Sequence, residues 1–380
     1  MTLKVAIDAT PLLGRPTGVG AFCSGVLAPL AERPDLSILA YALSWRGRDD
    51  LGARLPAGVA VGRRPMPAGA LQWSWGRASV PPARWFLGRQ DVVHGTNFVV
   101  PPSPGAAEVV TVFDLTPVRF PELCDAATLR FPGLIERAVR RGAWVHTLSD
   151  FVSAEIVEAF GIPAERVRVV RPGIPGPLDS RGEPEEVGAT RPLGDLPSGT
   201  DRYVLAVGTV EPRKDYPGLV ASFSAIAEAH PDVALVLVGA DGWGADALSA
   251  ALDASPHRQR IRRIGWLDGP SLQHVLAGAA VLAYPSVYEG FGFPPLQAMA
   301  AGVPVVATSA GAVPEAVGDG ALLVEPGDID ELSGALERVL SDGTLAAQLV
   351  ARGRAQVRRF SWEACADGLS DLYHDAHVGR

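Results

Sequence analysis

Arg213 and Lys214 stand side by side just beyond Tyr203–Val207, an apolar run that reads as a buried strand closing on Gly208. Two adjacent cations at the end of a strand can neutralise a diphosphate, both bound and departing. Arginine offers a planar fork and lysine a compact point charge. Of 34 basic residues only Lys4 and Lys214 are lysine, so an interior lysine in this chain calls for a reason. Further on comes Glu289-Gly290-Phe291-Gly292-Phe293, a carboxylate leading a loop whose two glycines let the backbone approach a bound group. Pro294 and Pro295 suit the first turn of a helix, Leu296 to Ala301 continues it, and Gly302-Val303-Pro304 ends it. Free N–H groups at that helix start favour a polar, anionic ligand.

These residues need elements to hold them, and the chain supplies an α/β rhythm twice. Leu3–Ile7 is suited to a buried parallel strand. A loop from Asp8 to Pro16 and Thr17-Gly18-Val19-Gly20 then lead into a helix reaching Ala31. Strand, glycine turn and helix present N–H groups to phosphate, which makes Gly18 and Gly20 binding candidates. Ser37–Leu43 is a second strand. The stretch 46–90, with Arg63-Arg64, Trp73, Trp75 and Trp85, shows no clear period and reads as a mobile or acceptor-facing region whose tryptophans serve packing. Asp91–Asn97 and Glu108–Phe113 are further strands, placing His94 and Asp114 toward the C-terminal edge where open parallel sheets bind ligands, although a lone histidine at a strand end more often serves structure. Leu129–Arg141, Trp144–Leu148, Phe151–Phe160 behind the cap Ser149-Asp150, and Val167–Val170 complete a first domain, 1–175.

Residues 176–201 are rich in Pro and Gly and read as a flexible linker. The rhythm then restarts with strands Tyr203–Val207, Val233–Val238, Ile261–Ile264 and Val281–Tyr284. Gly239 follows the second of these as Gly208 follows the first. Alternation of this kind predicts a doubly wound parallel sheet for 202–358, leaving 359–380 as a final helix.

Bulk properties agree with two domains in 380 residues. With 47% apolar and 20% charged residues, and no apolar run of about 18 residues, the chain reads as soluble. It opens on a strand pattern rather than a leader, so the expectation is cytoplasmic. Cys23, Cys124 and Cys365 are scattered and read as buried free thiols. Asp49-Asp50 is adjacent rather than spaced, so no metal site is expected. The net charge of −8 disfavours broad nucleic-acid binding, although residues 1–175 hold 19 basic against 15 acidic residues and could rest on anionic lipid or an anionic acceptor.

The stretch EGFGFPPLQAMAAGVPVVAT, with GAVPEAVGDGALLVEPGD after it, resembles the donor-site signature of retaining nucleotide-sugar glycosyltransferases of family 4. PRKDYPGLV, VVHGTNFVVPP, TVFDLTPVRFPE and the TGVG turn extend the resemblance over most of the chain. It implies a GT-B fold, two Rossmann-like domains with a last helix returning to the first. It also implies a nucleoside diphosphate sugar as donor, GDP-mannose or UDP-glucose, with no further cofactor and a glycan, lipid-linked or small-molecule acceptor. In it, Arg213 and Lys214 meet the leaving diphosphate, Glu289 the sugar hydroxyls, and the N–H groups of Gly290, Phe291, Gly292 and Phe293 the sugar and phosphate. Glu315 braces the loop, and Asp114 can orient a hydroxyl. Two positions depart from the pattern: Gln297 stands where a second Glu reaches the ribose, and Phe113 where many relatives have His. Those departures keep open a catalytically silent relative acting as a partner subunit. A dinucleotide-dependent oxidoreductase is disfavoured, since neither glycine loop reads G-x-G-x-x-G.

Overall fold

The computed structural model describes residues 2–14, 17–45, 48–176 and 196–379. It forms two compact units, Met1–Pro175 with Phe360–Arg380, and Gly176–Arg359. Most of the expected linker, 177–195, lies outside the described residues.

The first unit carries a seven-stranded parallel sheet. Its strands are β1 (Leu3–Asp8), β2 (Leu36–Tyr41), β3 (Ala60–Val61), β4 (Val92–Gly95), β5 (Ala107–Thr111), β6 (Trp144–Thr147) and β7 (Val167–Val169), in the order β3-β2-β1-β4-β5-β6-β7. Every residue of β4 and β5 is buried, as a parallel strand covered on both faces requires. The second unit carries six: β8 (Arg202–Val207), β9 (Val233–Val238), β10 (Ile261–Ile264), β11 (Val281–Tyr284), β12 (Val305–Thr308) and β13 (Ala321–Val324), in the order β10-β9-β8-β11-β12-β13. Its core joins Val204, Leu235 and Leu237 from the sheet to Phe223 and Leu336 from the flanking helices. In each sheet the strand order reverses once, between β1 and β4 and between β8 and β11, and the crevice beyond such a reversal is where open α/β sheets bind ligands.

Several expectations are corrected. The stretch 46–90 is not simply mobile: it forms helices Arg48–Leu51, Ala68–Trp75 and Arg84–Leu87 besides β3. Its tryptophans divide. Trp75 is buried and donates to the Pro81 carbonyl at 3.0 Å, whereas Trp73 and Trp85 are 62% and 59% exposed. The helix expected from Leu129 begins at Phe131, after a single tight turn over Thr128–Arg130. Cys23 and Cys365 are buried, but Cys124 is only half-buried. Strands β12 and β13 were not anticipated. Gly18 and Gly20 do not form a loop: both lie in the first turn of the helix Gly18–Ala31.

The final helix, Trp362–Val378, packs against Gly18–Ala31 within the first unit. Ser361 caps it, accepting from the Ala364 N–H at 3.1 Å. The Trp362 indole lies so close to Gly25 and Gly173 that a Cβ on either would come within 2.2 and 2.5 Å of it. Only glycine fits at both places.

Candidate functional site

The crevice beyond β8 and β11 gathers most of the predicted site residues of the second unit. Gly208 (φ +154) follows β8 and Gly239 (φ +157) follows β9, backbone conformations that side chains resist. A Cβ on Gly239 would lie 1.9 Å from the Gly208 carbonyl oxygen, so the two turns pack backbone to backbone. A short turn, Pro212–Lys214, then carries both cations. Asp215 follows in the left-handed region (φ 45, ψ 45), and its carboxylate accepts from the Gly218 N–H at 3.1 Å to start the helix Tyr216–Ile226. A short polar residue is what this conformation tolerates, and Asp is one.

The loop after β11 meets that turn. The Val287 N–H donates to the Arg213 carbonyl at 2.8 Å. The Ala312 N–H holds the Glu289 carbonyl at 2.9 Å, beside Gly311 (φ +58), where a Cβ would come within 2.3 Å of the same oxygen. Gly292 (φ +102) precedes the helix Phe293–Ala300, with Pro294 and Pro295 in its first turn and Gln297 half-buried on the second. The helix therefore begins earlier than Leu296.

Glu289 is the centre of the arrangement. One carboxylate oxygen lies 2.5 Å from Lys214 Nζ, and the other lies 2.6 Å from Arg213 Nη1. Arg213 Nε turns to Glu211 at 2.8 Å, and Lys214 donates to Tyr284 Oη at 3.0 Å. Tyr216 Oη in turn donates to the Gly208 carbonyl at 3.1 Å. Burial alone would raise the Glu289 pKa, but Arg213 and Lys214 outweigh it and hold the carboxyl near 2. Burial also pushes the Lys214 ammonium below its ordinary value, against the pull of Glu289. A carboxylate that stays ionised 2.5 Å away keeps the pair charged at rest. Two cations and two carboxylates thus form a compact, nearly neutral cluster whose cations sit where an incoming diphosphate could exchange for a carboxylate. Glu211, Tyr284 and Tyr216 were not singled out from the sequence, although Glu211 stands two residues before Arg213 and Tyr284 closes an apolar strand.

In the first unit Asp114 follows β5 and accepts from the Thr116 N–H at 2.9 Å, half-buried at the C-terminal sheet edge. Phe113 is committed to packing, edge-on to Phe22 and Phe98 at 5.5 and 6.2 Å. Asp8, at the end of β1, was passed over. It accepts from the Thr10 N–H at 2.8 Å, and burial raises its pKa to about 6 against that bond. A perturbed carboxylate at a strand end is a signal of function in its own right.

His94 is not a ligand residue. Its Nδ1 lies 2.8 Å from Tyr373 Oη and its Nε2 2.7 Å from Thr111 Oγ1, which is 2.8 Å from His146 Nδ1; His146 Nε2 lies 3.2 Å from the Val170 carbonyl. That carbonyl can only accept, and burial keeps both rings neutral, lowering His94 well below its usual range and His146 to about 4. Every proton then has one place: Tyr373 donates to His94, His94 to Thr111, Thr111 to His146, and His146 to Val170. The chain of bonds ties the last helix to β4, β5 and β6.

Two parallel-sheet units of seven and six strands match the GT-B architecture, and solved structures agree. The chain is similar to WaaG, a glycosyltransferase involved in lipopolysaccharide biosynthesis (TM-score 0.74, 18% identity, 97% of this chain and 99% of that one). It is also similar to Anabaena HepE in complex with UDP and glucose (TM-score 0.72, 18% identity, 98% and 100%). The family model described as glycosyl transferases group 1 matches residues 195–356. O-antigen chain mannosyltransferase B of Escherichia coli is 31% identical over 284 residues, 74% of each chain. The MMP alpha-(1->4)-mannosyltransferase of Mycolicibacterium hassiacum is 31% identical over 321 residues, 78% of this chain and 74% of that one. The chain belongs to the group 1 glycosyltransferases, in keeping with the family 4 resemblance of its sequence, and a nucleotide sugar is its donor. No helix among the described residues is long and apolar enough to cross a membrane.

Proposed function

We propose that the protein is a retaining hexosyltransferase that moves mannose from GDP-mannose onto a glycan or lipid-linked acceptor at the inner face of a membrane, without a metal ion. The observation that carries this reading is the Arg213–Glu289–Lys214 cluster at the β8–β11 reversal, with Glu289 and Lys214 buried and Arg213 half-buried. Breaking the bond between sugar and phosphate leaves a diphosphate that must be stabilised as its charge grows. Arg213 and Lys214 take up that charge. Glu289, released from them, turns to the sugar hydroxyls. The N–H groups of Gly290 to Phe293 hold sugar and phosphate, Gln297 reaches the ribose, and Gly208 and Gly239 let the diphosphate come close. Asp114 orients the acceptor hydroxyl, which attacks on the face the phosphate leaves, with a phosphate oxygen as base.

Mannose is supported by the relatives named as mannosyltransferases. UDP-glucose is the second donor to try, because solved neighbours carry UDP and glucose. A thermal-shift panel of GDP-, UDP- and ADP-sugars tests the donor, and NMR of the product tests retention; an inverted product would remove it. A silent nucleotide-sugar-binding relative is the second reading, favoured by the packed Phe113 and by the neutral Gln297. Donor hydrolysis that disappears in Lys214→Ala supports the enzyme, and binding without turnover supports the silent relative.

A further inference from the structure

Residues 51–90 contain six arginines (54, 63, 64, 77, 84 and 89) and no Asp, Glu, Lys or His, in a chain whose net charge is −8. A solvated surface ordinarily mixes the two signs. Arg54 is occupied by the carbonyls of Leu12 and Gly14, at 2.6 and 3.1 Å. The other five are exposed, and among the described residues none of them forms an ion pair with a carboxylate.

Local contacts link the segments that carry Arg64, Arg77, Arg84 and Arg89. Arg64 donates to the Trp85 carbonyl, and the Arg77 guanidinium lies 4.3 Å over the Trp73 ring. Ser74 Oγ donates to the Val80 carbonyl at 2.6 Å and Trp75 to that of Pro81 at 3.0 Å, folding the helix Ala68–Trp75 against the turn that leads to Arg84. Interleaved with the arginines are three large apolar side chains left in solvent: Trp73 and Trp85, already noted, and Val80 at 55%. A cavity of about 560 Å³ opens beside them, lined by Arg84, Trp85, Arg89 and Ser103 among others. It lies before β4 and β5, at the sheet edge opposite the one that bears Asp8 and Asp114.

We propose that this surface docks the protein onto an anionic bilayer. Unpaired arginines near such a surface each gain on the order of fivefold in partitioning, and indole rings settle at headgroup level. A soluble polyanion would use the charges but leave Trp73, Val80 and Trp85 in water, whereas a headgroup layer satisfies both sets. The overall charge of −8 opposes a nucleic acid. The docking surface deepens the reading of a membrane-borne acceptor, yet it can be tested apart from it, since vesicle binding requires neither donor nor acceptor.

The test is cosedimentation of the full chain with vesicles of phosphatidylcholine alone and of phosphatidylcholine with phosphatidylglycerol. Binding is expected only with the anionic vesicles, weakening with salt. Arg77→Ala with Arg84→Ala should lower it by roughly 25-fold, about fivefold for each residue. Trp73→Ser with Trp85→Ser should weaken the binding that persists at high salt. Donor hydrolysis in solution, unchanged in these variants, shows that the fold and the donor site are intact. Equal binding to both vesicle types, an undiminished arginine variant, or capture of a soluble anionic polysaccharide with none of the vesicles would each overturn the proposal. The comparison of vesicle types uses the parent chain and so holds even if a variant fails to fold.

Discussion

Replacing Lys214 with methionine keeps most of the unbranched stem of the side chain and removes its charge from a buried site. The ammonium lies 2.5 Å from one Glu289 oxygen and 3.0 Å from Tyr284 Oη, and only 6% of the residue is exposed. Removing one partner of a buried ion pair costs about 3–5 kcal/mol, because the other charge is left uncompensated. Here Arg213 still holds the second oxygen at 2.6 Å, which places the loss at the lower end, about 3 kcal/mol. At about 2–4 °C per kcal/mol for a body of this size, the midpoint of the second unit should fall by roughly 6–12 °C. The effect on chemistry is separate. A hydrogen bond to a charged group contributes about 1.5–3 kcal/mol, so diphosphate affinity should fall by roughly tenfold to a hundredfold. Circular dichroism reads the midpoint. Calorimetric titration with GDP and UDP, and donor hydrolysis, both well below that midpoint, read the site. Tyr284→Phe, which removes only the phenol oxygen, should do far less. A variant that melts early but hydrolyses donor and binds diphosphate like the parent would make Lys214 a structural lysine and refute the assigned grip on the leaving group.

Gly239→Ala should lower stability and donor affinity together, because its Cβ would meet the Gly208 carbonyl at 1.9 Å; a soluble variant with parental melting and turnover would show that this approach is not needed. Gln297→Glu should tighten donor binding by roughly fivefold, the difference between a charged and a neutral hydrogen bond, and an unchanged KM would remove Gln297 from the ribose. Acid should weaken the first unit. The folded pKa of His146 is about 4 against 6.5 in the open chain, so its contribution is whole above 6.5 and is lost as pH falls to 4, about 3 kcal/mol for the ring, with His94 acting in the same sense. Asp8 works the other way, since its pKa is raised to about 6 and the cost of burying its charge is relieved as it protonates. Asp8→Asn should therefore steepen the fall of the urea midpoint across that window, and a midpoint that stays flat in both proteins would refute the assignment.

Much of the fold could be read from the chain because parallel strands buried on both faces are short uniform apolar runs. Val233–Val238, Ile261–Ile264 and Val281–Tyr284 fall where their residues predict. Strands β12 and β13 are crowded by turn residues, Gly302 and Pro304 before the first and Gly318 and Gly320 before the second, so their apolar runs read as parts of a loop. In 46–90, prolines and glycines break the period before a helix can show itself. The cations and Glu289 were legible by type, Lys214 by its rarity. That one carboxylate holds both was not, because the pairing spans 75 positions and depends on β8 and β11 lying side by side. The partners of His94 were illegible for the same reason: one of them, Tyr373, is 279 residues away. Gly18 and Gly20 read as a turn ahead of a helix, because a glycine pair looks alike in a loop and in the first turn of a helix.

The wedge of Trp362 between Gly25 and Gly173 has a consequence for biosynthesis. A ribosome delivers the continuous segment Gly176–Arg359 whole before it delivers Trp362, while the earlier segment Met1–Pro175 waits with a gap where the indole belongs. The body made first is therefore finished last. A nascent chain stopped anywhere before position 362 carries an open apolar slot that protease or chaperone can find.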